Sequence, residues 1–110
     1  MTSPEMKDDK VLGEIVRRLA TTLHPERIYL FGSQARGDTD PNSDYDLMLI
    51  FPQLLIPSFR LIQQARRLLW DLGVAVDILV WPRQAFDERA KLPASFPAVI
   101  LREGVKIYAA

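Results

Sequence analysis

Three aspartates stand where strands least favour them. Asp44 and Asp46 open the run Asp44-Tyr45-Asp46-Leu47-Met48-Leu49-Ile50-Phe51, and Asp77 interrupts the β-branched, apolar stretch 74–81. Side chains alternate faces along a strand, so Asp44 and Asp46 share a face with α-carbons roughly 6.5 Å apart, while Tyr45 and Leu47 take the other. In the second stretch Val74, Val76, Ile78 and Val80 share one face, and Ala75, Asp77, Leu79 and Trp81 the opposite one. If the two strands lie side by side, Asp77 joins Asp44 and Asp46 in one cluster. Bare, such a cluster is unfavourable, since two unit charges ~4 Å apart cost on the order of 4 kcal/mol at an effective dielectric near 20. A hard divalent cation reverses the sign. Mg2+ takes oxygen ligands and leaves part of its shell to substrate phosphates, and three carboxylates can hold two ions about 3.5 to 4 Å apart. The chemistry this suits is phosphoryl or nucleotidyl transfer.

Gly32-Ser33 supplies the complement. It follows the apolar run 27–31, where a glycine permits a sharp turn and close backbone approach, and the serine hydroxyl and following amides suit phosphate oxygens. Ten residues, Gln34 to Ser43, separate this pair from Asp44. That length lets the chain return to a neighbouring strand, so the turn and the carboxylates can face each other. Two look-alike motifs fail. Gly32 to Gly37 has the glycine spacing of a P-loop, but Asp38 stands where lysine is required. Asp38 to Asp44 imitates half of a calcium-binding loop, yet Ser43 replaces the turn glycine and Leu49 the closing glutamate.

The elements that must position these residues are legible from periodicity. Val11, Leu12, Ile15, Val16 and Leu19 recur at three and four residues and predict an amphipathic helix over 8–23. Strands are expected over 27–31, 44–51 and 74–81, a helix over 58–72 stopped by Gly73, short helices near 84–90 and 95–102, and a final strand over 105–108. The expected architecture is a layered α/β (α+β) domain: a small mixed sheet with helices packed mainly on one side. A chain of 110 residues is read as a single domain, 1–110, with 48% hydrophobic and 25% charged residues, the mix of an ordinary globular protein.

Charge and composition exclude several classes. Fourteen basic and fourteen acidic side chains cancel, leaving no field suited to holding polymeric DNA or RNA. Absence of cysteine removes disulfides, thiolate metal sites and a cysteine nucleophile, and with no apolar run of signal or membrane-span length the expectation is a cytoplasmic protein.

The segment GSQARGDTDPNSDYDLMLI resembles the Gly-Ser, ten residues, Asp-x-Asp pattern of the polymerase-beta-like nucleotidyltransferase superfamily, and its size and neighbouring phrases are similar to the minimal (MNT) branch. The resemblance runs over 27–50, resumes at 74–80 and weakly covers 99–108. It implies the nucleotidyltransferase fold, with Gly32 and Ser33 on the triphosphate of ATP, Asp44 and Asp46 on both Mg2+ ions, and Asp77 ligating the catalytic metal and helping deprotonate the acceptor hydroxyl. Arg36 lies where such proteins often carry a basic residue near phosphate. Minimal nucleotidyltransferases are commonly paired with a small helical HEPN protein, and the resemblance implies an antitoxin that moves AMP from ATP to a HEPN-type ribonuclease toxin. Two rivals remain: a non-catalytic module that neutralises its partner by occlusion, and an enzyme acting on a small acceptor such as an antibiotic.

Other residues have plainer expectations. His24, before Pro25, suits a helix C-terminus rather than a catalytic base. Asp38 and Asp40 suit loop solvation. Trp70 and Trp81 are expected in the core or half-buried, and the apolar stretch 51–57 is expected to pack on the core, with a partner-binding surface as the alternative.

Overall fold

The computed structural model describes residues 9–32, 35 and 45–110. Helix α1 (Lys10–Leu23) starts at Asp9, whose carboxylate accepts the backbone N–H of Leu12 at 2.9 Å and so satisfies one orphan donor of the first turn. It ends at His24, in the left-handed conformation with φ 56°. Strand β1 (Arg27–Phe31) and strand β2 (Tyr45–Phe51) follow, then helix α2 (Ser58–Leu69), closed by a 3-10 turn over Trp70–Leu72. Strand β3 (Val76–Pro82) leads into the short helices α3 (Arg83–Ala90) and α4 (Phe96–Glu103), and strand β4 (Val105–Ala109) completes the chain.

The sheet has the order β3-β2-β1-β4. β1 is antiparallel to both β2 and β4, whereas β2 and β3 are parallel and joined through α2. A mixed sheet was expected, and the pairing of β2 with β3 is the one the aspartate cluster needs. Each strand starts within two residues of its expected position.

Alternation decides which layer each side chain joins. Ile28, Leu30, Leu47, Leu49, Phe51, Ile78 and Val80 face α1 and α2 in the larger core, which also buries Leu12, Ile15 and Leu19 of α1 and Leu61, Ala65 and Leu69 of α2. The spacing of three and four along each helix puts these residues on one stripe. On the reverse face Tyr29, Met48 and Ile50 meet Phe86 of α3 and Ile100 of α4. Because β2 has neighbours on both faces, Leu47 to Phe51 are all buried, and its near-continuous apolar sequence reflects that. The long helices and the larger core thus lie on one side, and two short helices cover part of the other.

Two expectations change. Trp70 is 81% exposed, because at about 100° per residue it falls on the side of α2 that carries exposed Phe59 and Arg66, away from the buried stripe of Leu61, Ala65 and Leu69. Trp81 is half-buried as expected, edge-on to Phe86 at 6.3 Å. The stretch 51–57 divides: Phe51 is buried and Leu54 and Ile56 pack on the larger core, while Leu55 projects into solvent.

Candidate active site

The register of the sheet brings the site together. In the antiparallel pair Asp46 lies opposite Phe31, and in the parallel pair Asp46 lies opposite Asp77. Residues level with one another on neighbouring strands point to the same face, with strands about 4.8 Å apart. Asp46 and Asp77 are therefore lateral neighbours on the face that α3 and α4 only partly cover. Phe86 closes that face at the far end, over Tyr29, Met48 and Trp81, so the aspartate end stays open. Asp46 is half-buried and Asp77 exposed.

An aspartate between Val76 and Ile78 is expected either to need compensation for its burial or to lie at the surface of an edge strand. The structure shows the second: β3 is an edge strand, its odd-numbered face is open at this level, and the carboxylate keeps its water.

Gly32 ends β1 beside the same carboxylate. Its φ is +75°, in the region that favours glycine, and a β-carbon there would overlap Oδ2 of Asp46 and lie 3.1 Å from its Cγ. Backbone and carboxylate thus approach as closely as the absence of a side chain permits. Of the six expected site residues, the structure brings together Gly32, Asp46 and Asp77. Ser33, Arg36 and Asp44 lie outside the described residues, as do Asp38 and Asp40. Among the described residues no group of three acidic, histidine or cysteine side chains is placed to hold a metal; the two neighbouring carboxylates supply hard oxygen donors of the kind Mg2+ takes.

Three supporting residues escaped sequence reasoning. Tyr45 turns to the helix face and donates its hydroxyl to Oδ2 of Asp9 at 2.8 Å, which ties the start of α1 to the start of β2, one residue from Asp46. Burial, then the Asp9 hydrogen bond, push the Tyr45 hydroxyl up to about 12. Phe31, level with Asp46, carries the ring of Phe96 edge-on at 5.5 Å, and Phe96 is 44% exposed, so an aromatic wall borders the carboxylates. The adjacency of Phe31 to Gly32 could have flagged the first ring; nothing in the local sequence flags Phe96. His24 is exposed at the opposite end of the sheet, near the pair Arg27–Ile50, and takes no part.

Comparison with known proteins shows the family and the fold. The nucleotidyltransferase domain family matches residues 10–107, nearly the whole chain. A protein of Methanocaldococcus jannaschii with the provisional name of protein adenylyltransferase is 30% identical over 105 residues, covering 94% of this chain and all of that one. The crystal structure of a provisionally named nucleotidyltransferase from Sulfolobus solfataricus superposes with a TM-score of 0.62 at 24% identity, covering 91% of this chain and 78% of the other. A toxin–antitoxin structure with AMP-PNP superposes with a TM-score of 0.59 at 20% identity, covering 89% of this chain and 73% of the other. The family match and the relatives define a nucleotidyltransferase. The chain belongs to the nucleotidyltransferase domain family, as the resemblance in 27–50 implied, and the match extends that resemblance over α1 and α2. Among the described residues no helix is long and apolar enough to cross a membrane.

Proposed function

We propose that this chain transfers AMP from ATP to a hydroxyl of a partner protein, and that the partner is a HEPN-type ribonuclease toxin which it thereby silences as an antitoxin. The observation that carries the reading is the level placement of Asp46 and Asp77 beside the Gly32 turn. The provisional name of the M. jannaschii relative supports a protein acceptor, and the toxin–antitoxin neighbour with AMP-PNP supports both the nucleotide and the partner class.

In this reading Asp44, Asp46 and Asp77 hold two Mg2+ ions, and Gly32, Ser33 and Arg36 receive the triphosphate. When bound, Mg2+ supplies charge neutralisation across the phosphates. The chain's own residues do the rest. The Gly32 turn lets the backbone come up against the Asp46 carboxylate, so that a phosphate held at the turn would lie beside that carboxylate, and Asp77 accepts the proton of the acceptor hydroxyl. The hydroxyl oxygen bonds to the α-phosphorus, the bond from that phosphorus to the bridging oxygen of the β-phosphate breaks, and pyrophosphate leaves. Positioning and electrostatics carry the rate, because the reaction asks no covalent intermediate of the protein.

The test is transfer of label from α-labelled ATP to the co-expressed product of the adjacent reading frame. Asp44→Asn with Asp46→Asn should abolish labelling with the fold retained. Full labelling by that double variant contradicts the mechanism, and protection from the partner without labelling supports occlusion instead.

A further inference from the structure

β3 lies at the edge of the sheet, so every second N–H and C=O along it faces outward with no strand beside it among the described residues. Proteins usually blunt such edges with charged side chains, proline or a bulge. In VDILVWP the single charge before Pro82 is Asp77, which belongs to the proposed site. Alongside, Arg66, Leu69 and Trp70 join Val74, Val76 and Ile78 to line a groove of about 200 Å3 between α2 and the edge. Trp70 stands 81% exposed at its rim and Leu79 is 38% exposed on the other face of the same strand. Arg66 is exposed and has no ion pair among the described residues, and α2 presents Arg60 and Arg67 as further exposed cations.

We infer that the β3 edge and its groove receive an extended, acidic segment of the acceptor protein by strand addition, an inference that rests on the proposed transfer reaction. Strand register gives the segment a pattern. A residue laid level with Asp77 points to the face of Asp77 and Asp46, one strand spacing of about 4.8 Å away, so it is the one that presents a hydroxyl to the carboxylates. Its two neighbours point to the other face, where the groove lies. One fills the apolar space beside Trp70, and the other meets the guanidinium of Arg66, for which a carboxylate is the complement. The docking motif is thus an apolar residue, a hydroxyl residue and an acidic residue in succession.

The probe is an acetylated heptapeptide with tyrosine at its centre between leucine and glutamate, titrated into the full chain while backbone amides and tryptophan indoles are followed by NMR. Shifts should concentrate at residues 76–80 and the Trp70 indole. A lysine in place of the glutamate should weaken binding about three- to five-fold, as expected for an exposed ion pair, Arg66→Glu should reverse that preference, and Trp70→Ala should weaken both peptides. Shifts confined to other elements, equal binding of the two peptides, or β3 signals that change with protein concentration alone, which would mean pairing with a second copy, each overturn the inference. Binding of a fluorescent ATP analogue with Mg2+ to the same chain reads the transfer site separately: its failure with peptide binding intact rejects the transferase reading and leaves strand addition standing.

Discussion

Gly32 and Asp46 occupy one another's space: the carboxylate of Asp46 fills the volume where a β-carbon at position 32 would sit. One follows the last residue of β1, the other is the second residue of β2, and the antiparallel register sets Phe31 level with Asp46. A residue chosen for turn geometry is therefore also fixed by the site. Gly32→Ala should cost ~1–2 kcal/mol from its left-handed backbone alone and should push the Asp46 side chain aside. AMP transfer should fall by more than stability does, which comparison of labelling rate with urea midpoint would show. Wild-type transfer by Gly32→Ala would contradict a close approach of backbone and carboxylate.

Tyr45 holds the site from behind. Its bond to Asp9, which also caps α1, links helix start to strand start on the side away from Asp46. The raised hydroxyl pKa, about 12 against an ordinary value near 10, means that this contribution is complete below about pH 10 and is lost as pH rises through 12. Tyr45→Phe should lower stability by about 1 kcal/mol at neutral pH and flatten the alkaline fall in thermal midpoint, with KM for ATP nearly unchanged. An unaltered alkaline profile would refute the tie.

Acid stability rests on other residues. Hydrogen bonds from Arg17, then Arg18, hold the Glu14 carboxyl at about 2, and Arg18, which also donates to the carbonyl oxygen of Leu68 at 2.8 Å, lowers Asp71. Folded values below the unfolded ones give stability that is present above about pH 4.3 and is lost as pH falls toward 2. Arg18→Ala should weaken the chain at pH 7 and shrink its midpoint change between pH 5 and 2. Because the pairs are exposed, high salt should reduce the difference. Thermal scans across that pH range check both.

Phe86 separates fold from chemistry. It is fully buried, stacked on Tyr29 at 5.7 Å and edge-on to Trp81, at the end of the face away from the aspartates. Phe86→Ala should cost about 3–5 kcal/mol, visible in the denaturant midpoint, while the nucleotide binding that the proposed function requires should be unchanged in the folded fraction. Loss of nucleotide binding by the folded variant would show that α3 reaches the site.

Elements whose structure follows from local chemistry were legible in the sequence: α1 from its stripe and its aspartate cap, β1 from an apolar run before a glycine, β2 from apolar continuity. Asp77 was legible as an anomaly in β3, with an edge-strand surface position as one of its two readings; the choice between them was not legible, because edge position is set by strand order and no local pattern encodes it. Trp70 was misplaced for a different reason. Its apolar character suggested the core, but it stands four residues after exposed Arg66, on the side of α2 away from the stripe of Leu61, Ala65 and Leu69. Phe96 joins the aspartate end through α4, more than 60 residues along the chain from Phe31, and so leaves no mark near the motif.

The central claim is that Asp46 and Asp77 act as one unit. Its most direct test is kcat/KM for AMP transfer by the wild type, Asp46→Asn, Asp77→Asn and the double variant, all folded. Each single change should lower the rate at least ~100-fold, and the double should fall little further, since residues acting together are strongly non-additive. Wild-type rates in Asp77→Asn, or single losses that simply multiply in the double variant, would contradict it.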